Sequence, residues 1–146
     1  MMIKTTDQLS SQELLTILQA RTAVFVVEQN CPYQEVDEID REAIHVCLME
    51  QDKLQAYARI YETSNGIHFG RVMVVKEFRG HQLGRKLVTE TLEAIEERFP
   101  QRSVIISAQA HLIDFYQSFG FTAWSEIYLE DDIPHMDMRL EKTTNH

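Results

Sequence analysis

Val72-Met73-Val74-Val75-Lys76-Glu77-Phe78-Arg79-Gly80-His81-Gln82-Leu83-Gly84-Arg85-Lys86 begins as a run of strand-forming residues and ends inside an amphipathic helix. Leu83, Leu87, Val88, Leu92, Ile95 and Phe99 recur at three- and four-residue steps, and Pro100 stops the pattern, which predicts a helix over 81–99. A strand that turns directly into a helix points the helix's unpaired N-terminal amides and partial positive charge at the turn, an arrangement suited to a diphosphate. Gly80 and Gly84 let phosphate oxygens approach the backbone, and Arg79, Arg85 and Lys86 add charge. A tight turn with close strand–helix packing accounts for the two glycines equally well.

Downstream, SVIISA (103–108) is a short apolar strand reached only after the long helix, so strand, helix and strand form a right-handed parallel crossover. Upstream, IHVCLME (44–50) and LQAYARIY (54–61) flank Gln51-Asp52-Lys53. Asn65-Gly66 signals a tight turn before IHFGRVMVV, giving a three-strand antiparallel meander. Ser10-Ser11-Gln12-Glu13 reads as a capping box opening a helix over roughly 11–25, with Leu14, Leu15, Leu18 and Phe25 on one face. A second short helix, about 110–119, carries Leu112, Phe115, Tyr116 and Phe119 and ends at Gly120; FTAWSEIYL and HMDMRL close the chain as strands. The expected class is α+β: a mixed, mostly antiparallel sheet, helices on both faces, and one parallel strand pair.

At 146 residues, with 44% apolar and 25% charged residues, the chain reads as one domain over 1–146 with a sizeable core. Fourteen Lys and Arg against 23 Asp and Glu give a formal charge of −9, which opposes general binding to nucleic acid or an anionic membrane. No leader or membrane span is evident, so a cytoplasmic location is expected. Cys31 and Cys47 lack ligand spacing, so two free thiols and no metal are expected.

The charge is sorted along the chain. Residues 71–86 hold Arg71, Lys76, Arg79, Arg85 and Lys86 against Glu77, whereas 28–42 and 126–137 are strongly acidic. The first segment should hold an anion and the acidic ones a cation, unless the carboxylates are merely solvated.

The stretch around Arg79 and Gly84 resembles motif A of the GNAT superfamily of acyl-CoA-dependent N-acyltransferases, Arg/Gln-x-x-Gly-x-Gly/Ala, with Gln82 where the inner Gly stands in the family. Gln109-Ala110-His111-Leu112-Ile113-Asp114-Phe115-Tyr116-Gln117-Ser118-Phe119-Gly120-Phe121 resembles motif B. The resemblance spans essentially the whole chain. Arg21-Thr22-Ala23-Val24-Phe25-Val26-Val27-Glu28-Gln29, Asp37-Glu38-Ile39-Asp40 and EDDIPHM are similar to the ElaA-like branch. Arg21, Phe25, the acidic cluster and Arg59 are also similar to acyl-homoserine-lactone synthases, which are usually longer.

The resemblance implies a three-layer GNAT-like fold whose parallel strands splay around acetyl-CoA, the co-substrate. It implies that Met73, Val74 and Val75 offer backbone to the pantetheine arm, and that an amide at Val74 or Val75 polarises the thioester carbonyl. Arg79, Gly80, His81, Gln82, Leu83, Gly84 and Arg85 would hold the diphosphate, and Gln109 the cofactor arm. Tyr116 would be the catalytic acid that protonates the departing thiolate, although periodicity alone makes it a core residue. The implied activity is transfer of acetyl to a small-molecule or peptide amine by direct attack. A non-catalytic acyl-CoA-binding module and a lactone synthase are the alternatives. Glu28, Asp37 and Asp40 are expected to bind a cationic acceptor. The general base lies among Glu28, Glu35, Asp37, Asp40, His45 and His135, with His45 more naturally a core residue. The sequence leaves the oligomeric state open, a homodimer included.

Overall fold

The computed structural model describes residues 1–141. In chain order the elements are β1 (Met2–Thr5), α1 (Ser11–Arg21), a π-helical continuation (Thr22–Glu28), a 3-10 turn (Glu38–Arg41), β2 (Ile44–Glu50), β3 (Lys53–Thr63) and β4 (Gly66–Val74). There follow α2 (Leu83–Arg98), β5 (Val104–Gln109), α3 (Ile113–Gln117), β6 (Thr122–Ala123), β7 (Tyr128–Glu130) and β8 (Ile133–Leu140). They build one eight-stranded sheet in the order β1-β2-β3-β4-β5-β8-β6, with β7 paired to β8. All pairings are antiparallel except β4 with β5. Helices cover both faces: α2 and Tyr116 of α3 pack against Val46, Ala58, Ile60 and Phe69, whereas Ile17 of α1, with Val24 and Phe25, meets Cys47, Tyr57 and Met73 on the other.

The expected α+β class and the single parallel pair are present; several boundaries differ for local reasons. The first helix keeps its Ser10–Glu13 capping box but does not stop at 25, because it widens into π geometry through Glu28. The expected helix over 110–119 shrinks to α3 after a 3-10 turn, and the strand expected over 121–129 breaks into β6 and β7. The Asn65-Gly66 signal is displaced by one residue: Ser64 and Asn65 make the turn, and Gly66 opens β4. Glycine is required there, since a Cβ would stand 2.7 Å from the Ser103 carbonyl oxygen where β4 and β5 begin to pair.

Candidate active site

β4 and β5 pair only at Ile67 with Val104 and His68 with Ile105. Beyond that β5 continues alongside β8, from Ile106 opposite Met138 to Gln109 opposite His135, while β4 stays with β3. The facing edges of β4 and β5 therefore part. A bulge adds to the divergence: Arg71 and Val72 stand against Ala58 alone, with Arg71 at φ 50°. The opening is a cleft of about 590 Å³, lined among others by Phe69, Val72, Ser107, Gln109, Tyr116 and His135.

The three valine-region residues expected to offer backbone are not equivalent. The Val75 amide donates to the Gln55 carbonyl at 2.8 Å, so it is spent on β3. In an antiparallel ladder the next residue turns both its backbone groups away from the partner, which aims those of Val74 into the splay. The Val74 carbonyl accordingly accepts from Arg79 Nε at 3.0 Å. Met73 is buried against the α1 side and pairs with Tyr57.

Gln82 caps α2 in the left-handed region, φ 57°, without a side-chain capping bond. Since the first helical bond runs from the Lys86 amide to Gln82, the amides of Leu83, Gly84 and Arg85 are left for other acceptors. Neither nearby glycine is demanded by packing: a Cβ on Gly80 would meet nothing within 4 Å, and one on Gly84 only Val74 Cγ2 at 4.0 Å. Space in front of these amides is thus kept open. Leu83 packs its side chain on the core, His81 is exposed, and Arg85 donates to Ser118 at 2.8 Å while lying 4.7 Å from the Phe119 ring centroid. Arg79 Nη1 pairs with Glu28.

Tyr116 is buried between Phe69, Phe115 and Phe121, so periodicity rightly makes it a core side chain. Yet it also lines the cleft, and its hydroxyl makes no hydrogen bond with the described residues. Burial pushes its pKa up to about 12, which keeps the phenol protonated.

The acidic segment 28–42 is largely neutralised from within. Arg21, fully buried, donates through Nε to both Glu35 carboxylate oxygens (3.0 and 3.1 Å) and through Nη1 and Nη2 to both of Asp40 (2.7 and 3.0 Å). Arg59 pairs with Asp37 and Asp40, and Arg71 with Glu35 and Asp37. Three arginines thus meet three carboxylates, and Asp40 is not free to hold a cation; Glu28 is likewise committed to Arg79. Asp37 alone of the three acceptor candidates lines the cleft. The sequence shows these charges but not that Arg21 from a helix, Arg59 from β3 and Arg71 from a bulge converge on them.

His45 is fully buried in a one-way chain. The Thr6 hydroxyl donates to the Asp40 carbonyl (2.5 Å), so it accepts from His45 Nε2 (2.8 Å), and Nδ1 accepts from the Tyr57 hydroxyl (2.5 Å). Burial first, and the nearby arginines, bring its pKa down to about 4. His135 differs: it lines the cleft, with Nδ1 2.7 Å from the Ile133 carbonyl and Nε2 3.5 Å from a Glu130 carboxylate oxygen. Beside it, Ser107 Oγ donates to the Tyr128 hydroxyl (2.6 Å), which donates to Asp137 (2.5 Å); the interrupted β6–β7 segment hid this relay from sequence reasoning. Among the described residues no three His, Cys, Asp or Glu side chains converge as a metal site, and no helix is long and apolar enough to cross a membrane. Cys31 and Cys47 are free thiols, Cys47 buried with its pKa raised to about 12 by burial.

The acetyltransferase (GNAT) domain family matches residues 5–142. Protein ElaA of Escherichia coli is 44% identical over 140 residues, covering 92% of each chain, and its crystal structure superposes with a TM-score of 0.92 over 96% of this chain and 98% of that one. An acyl-CoA N-acyltransferase from Pseudomonas aeruginosa is 42% identical with a TM-score of 0.91, over 94% and 96% of the two chains. A CoA-dependent acyl-homoserine lactone synthase shares the fold alone, at 17% identity and a TM-score of 0.78, and this chain spans 82% of it. A family match running almost from end to end and a full-length relative at this identity agree with the splayed strands: the chain belongs to the GNAT acetyltransferases, on the branch that includes ElaA.

Proposed function

We propose that the chain transfers acetyl from acetyl-CoA to a primary amine by direct attack within a ternary complex. The observation that carries this reading is the unpaired Tyr116 hydroxyl, kept protonated in the cleft that opens where β4 and β5 part. A sequestered phenol with no hydrogen-bond partner among the described residues suits donation of a proton to a departing thiolate. The amides of Leu83, Gly84 and Arg85, with Arg79 and Lys86 nearby, fit a diphosphate, and Gly80 and Gly84 leave room for it. Val74 offers the backbone edge, and its N–H is the donor suited to polarise a thioester carbonyl, since that of Val75 is taken. Gln109, at the end of β5, suits the cofactor arm. Acetyl-CoA supplies the activated acyl group.

For the acceptor, Glu130 and Asp131 line the cleft without an arginine partner among the described residues, whereas Asp37, also on the cleft, is paired with Arg59 and Arg71. Glu130 and Asp131 favour a cation, so the acceptor arrives as an ammonium. The test is thiol release from acetyl-CoA across amines including spermidine, glucosamine and glycyl-lysine, with acetylated product identified by mass spectrometry. Amine-dependent thiol release is the expected result. Tight CoA binding with no release for any amine would overturn the catalytic reading in favour of a binding module. Octanoyl-CoA preferred over acetyl-CoA would overturn the donor.

A further inference from the structure

Resting on the transferase reading, we infer that His135 Nε2 is the general base that takes a proton from the acceptor amine, with Glu130 as the residue that stabilises the resulting imidazolium. The other carboxylate and histidine candidates are committed elsewhere: Glu28 to Arg79, Glu35, Asp37 and Asp40 to Arg21, Arg59 and Arg71, and His45 to its core chain. His135 alone among them combines a place on the cleft wall with a ring nitrogen that makes no hydrogen bond to the described residues, only a long contact to Glu130.

The tautomer follows from chemistry. A carbonyl oxygen only accepts, so His135 Nδ1 carries the proton it gives Ile133 at 2.7 Å, and the lone pair is on Nε2. Nε2 lies 3.5 Å from Glu130 Oε2, too far for a good hydrogen bond but close enough to stabilise a positive ring. The ring is held in place: His135 is 8% exposed, its plane stacks on Tyr128 at 6.2 Å between centroids, and across the ladder it faces Gln109. Groups around it are Glu130 and Tyr128 from β7, Asp131 from the turn, Asp137 on its own strand and Gln109 on β5. The Tyr128 hydroxyl is spent on Asp137 and Ser107. On the opposite wall Asp37, Arg59 and Arg71 belong to the neutralised cluster.

The step balances as follows. The ammonium gives one proton to Nε2; the freed nitrogen lone pair forms the C–N bond, and the C–S pair leaves with sulfur, which takes the Tyr116 proton. The nitrogen's second surplus proton regenerates the phenol by way of solvent, and the imidazolium returns its proton to bulk water.

The experiment follows acetyl-CoA thiol release with the best of spermidine, glucosamine and glycyl-lysine as a function of pH. His135→Ala should lower kcat/KM for the amine roughly 100-fold, leave the KM for acetyl-CoA unchanged, and regain rate with added imidazole. Glu130→Gln should raise the amine KM, because the cleft loses an acceptor carboxylate, and should also lower kcat severalfold, because the imidazolium loses its counter-charge. Wild-type rate and an unchanged acidic limb in folded His135→Ala and His135→Gln would overturn the assignment and leave the transferase reading standing. If His135→Ala does not fold, a Glu130→Gln variant whose amine KM rises while kcat stays at the wild-type value overturns it. No thiol release by the wild type with any of the amines would overturn both.

Discussion

Arg79 donates through Nε to the carbonyl of Val74, five residues earlier, at 3.0 Å, and so covers the backbone acceptor that Val74 turns toward the splay. Its Nη1 is held at the same time by Glu28, at the end of the π-helical segment. A donor that uses the Val74 edge and a diphosphate that recruits Arg79 both have to displace these contacts. The Glu28 carboxyl is held below its usual range chiefly by the Arg79 hydrogen bond, so it competes for Arg79 as a full charge at neutral pH.

Glu28→Gln is therefore expected to tighten CoA binding roughly twofold to fivefold, the scale of an exposed ion pair, without changing the acceptor KM. Isothermal titration with CoA checks it. Weaker binding would show that Glu28 supports Arg79 instead of competing for it.

Tyr116→Phe removes a hydroxyl that no described protein group uses, so thermal stability should stay within about 2 °C. Turnover should fall roughly 10- to 100-fold with CoA affinity kept. Because the phenol's pKa is raised to about 12, the wild-type rate should show no basic limb from this group below about pH 10. A variant with full turnover, measured where chemistry is rate-limiting, removes Tyr116 from the reaction.

The parts of the site legible in sequence are those whose function is local. The strand–turn–helix from Val72 to Lys86 carries its own periodicity, glycines and charge, and the α1 capping box is a four-residue signal. Other features depend on residues distant in the chain. Asp37 and Asp40 look like free carboxylates until Arg21, Arg59 and Arg71 are brought onto them. The hairpin turns Gln51-Asp52 and Asp131-Asp132 take left-handed conformations that usually select Asn or Gly, so they carry no strong turn signal. β1, only four residues long, acquires its identity from pairing with β2.

The buried arginine cluster predicts an acid-sensitive fold. Burial works to raise the Asp40 pKa, but the hydrogen bonds from Arg21 and the Asp37 amide, with the charges of Arg21 and Arg59, bring it down to about 2. A depressed folded value means that this stabilisation is complete above the ordinary carboxylate range and disappears as pH falls from about 4 through 2. Asp40→Asn leaves Arg21 and Arg59 underpaired and should cost about 3 kcal/mol at pH 7 in urea unfolding. A loss below about 1 kcal/mol would mean that the cluster reorganises around Glu35 and Asp37.

His45 gives a second, separate pH window. Protonation requires a proton on Nδ1, which now accepts from Tyr57, and the one-way chain to Thr6 and Asp40 leaves no alternative acceptor. With the folded pKa near 4 against an ordinary 6.5, stability is complete above 6.5 and declines as pH falls toward 4, by at most about 3 kcal/mol. Unfolding free energies from pH 7 to 4 should show that slope in the wild type and lose it in His45→Gln. Equal slopes in both proteins would assign it to other groups.

Gln82 stands where motif A has its inner glycine, and its backbone keeps the glycine-like conformation at φ 57°. A non-glycine residue in this region costs about 1 kcal/mol relative to glycine, which Gln82→Gly relieves. Glycine also widens the unfolded ensemble, at a cost of about 0.4–1 kcal/mol, so the two effects nearly cancel. The melting temperature should stay within about 3 °C of wild type. The effect on CoA is separate, because the substitution removes the side chain immediately before the free amides of Leu83, Gly84 and Arg85. Gln82→Gly should therefore lower the Kd for CoA and leave that for desphospho-pantetheine analogues unchanged, since only the former carries the diphosphate. Equal changes for both ligands would place the Gln82 side chain along the pantetheine arm, and weaker CoA binding would mean that the Gln82 amide group itself contacts the donor.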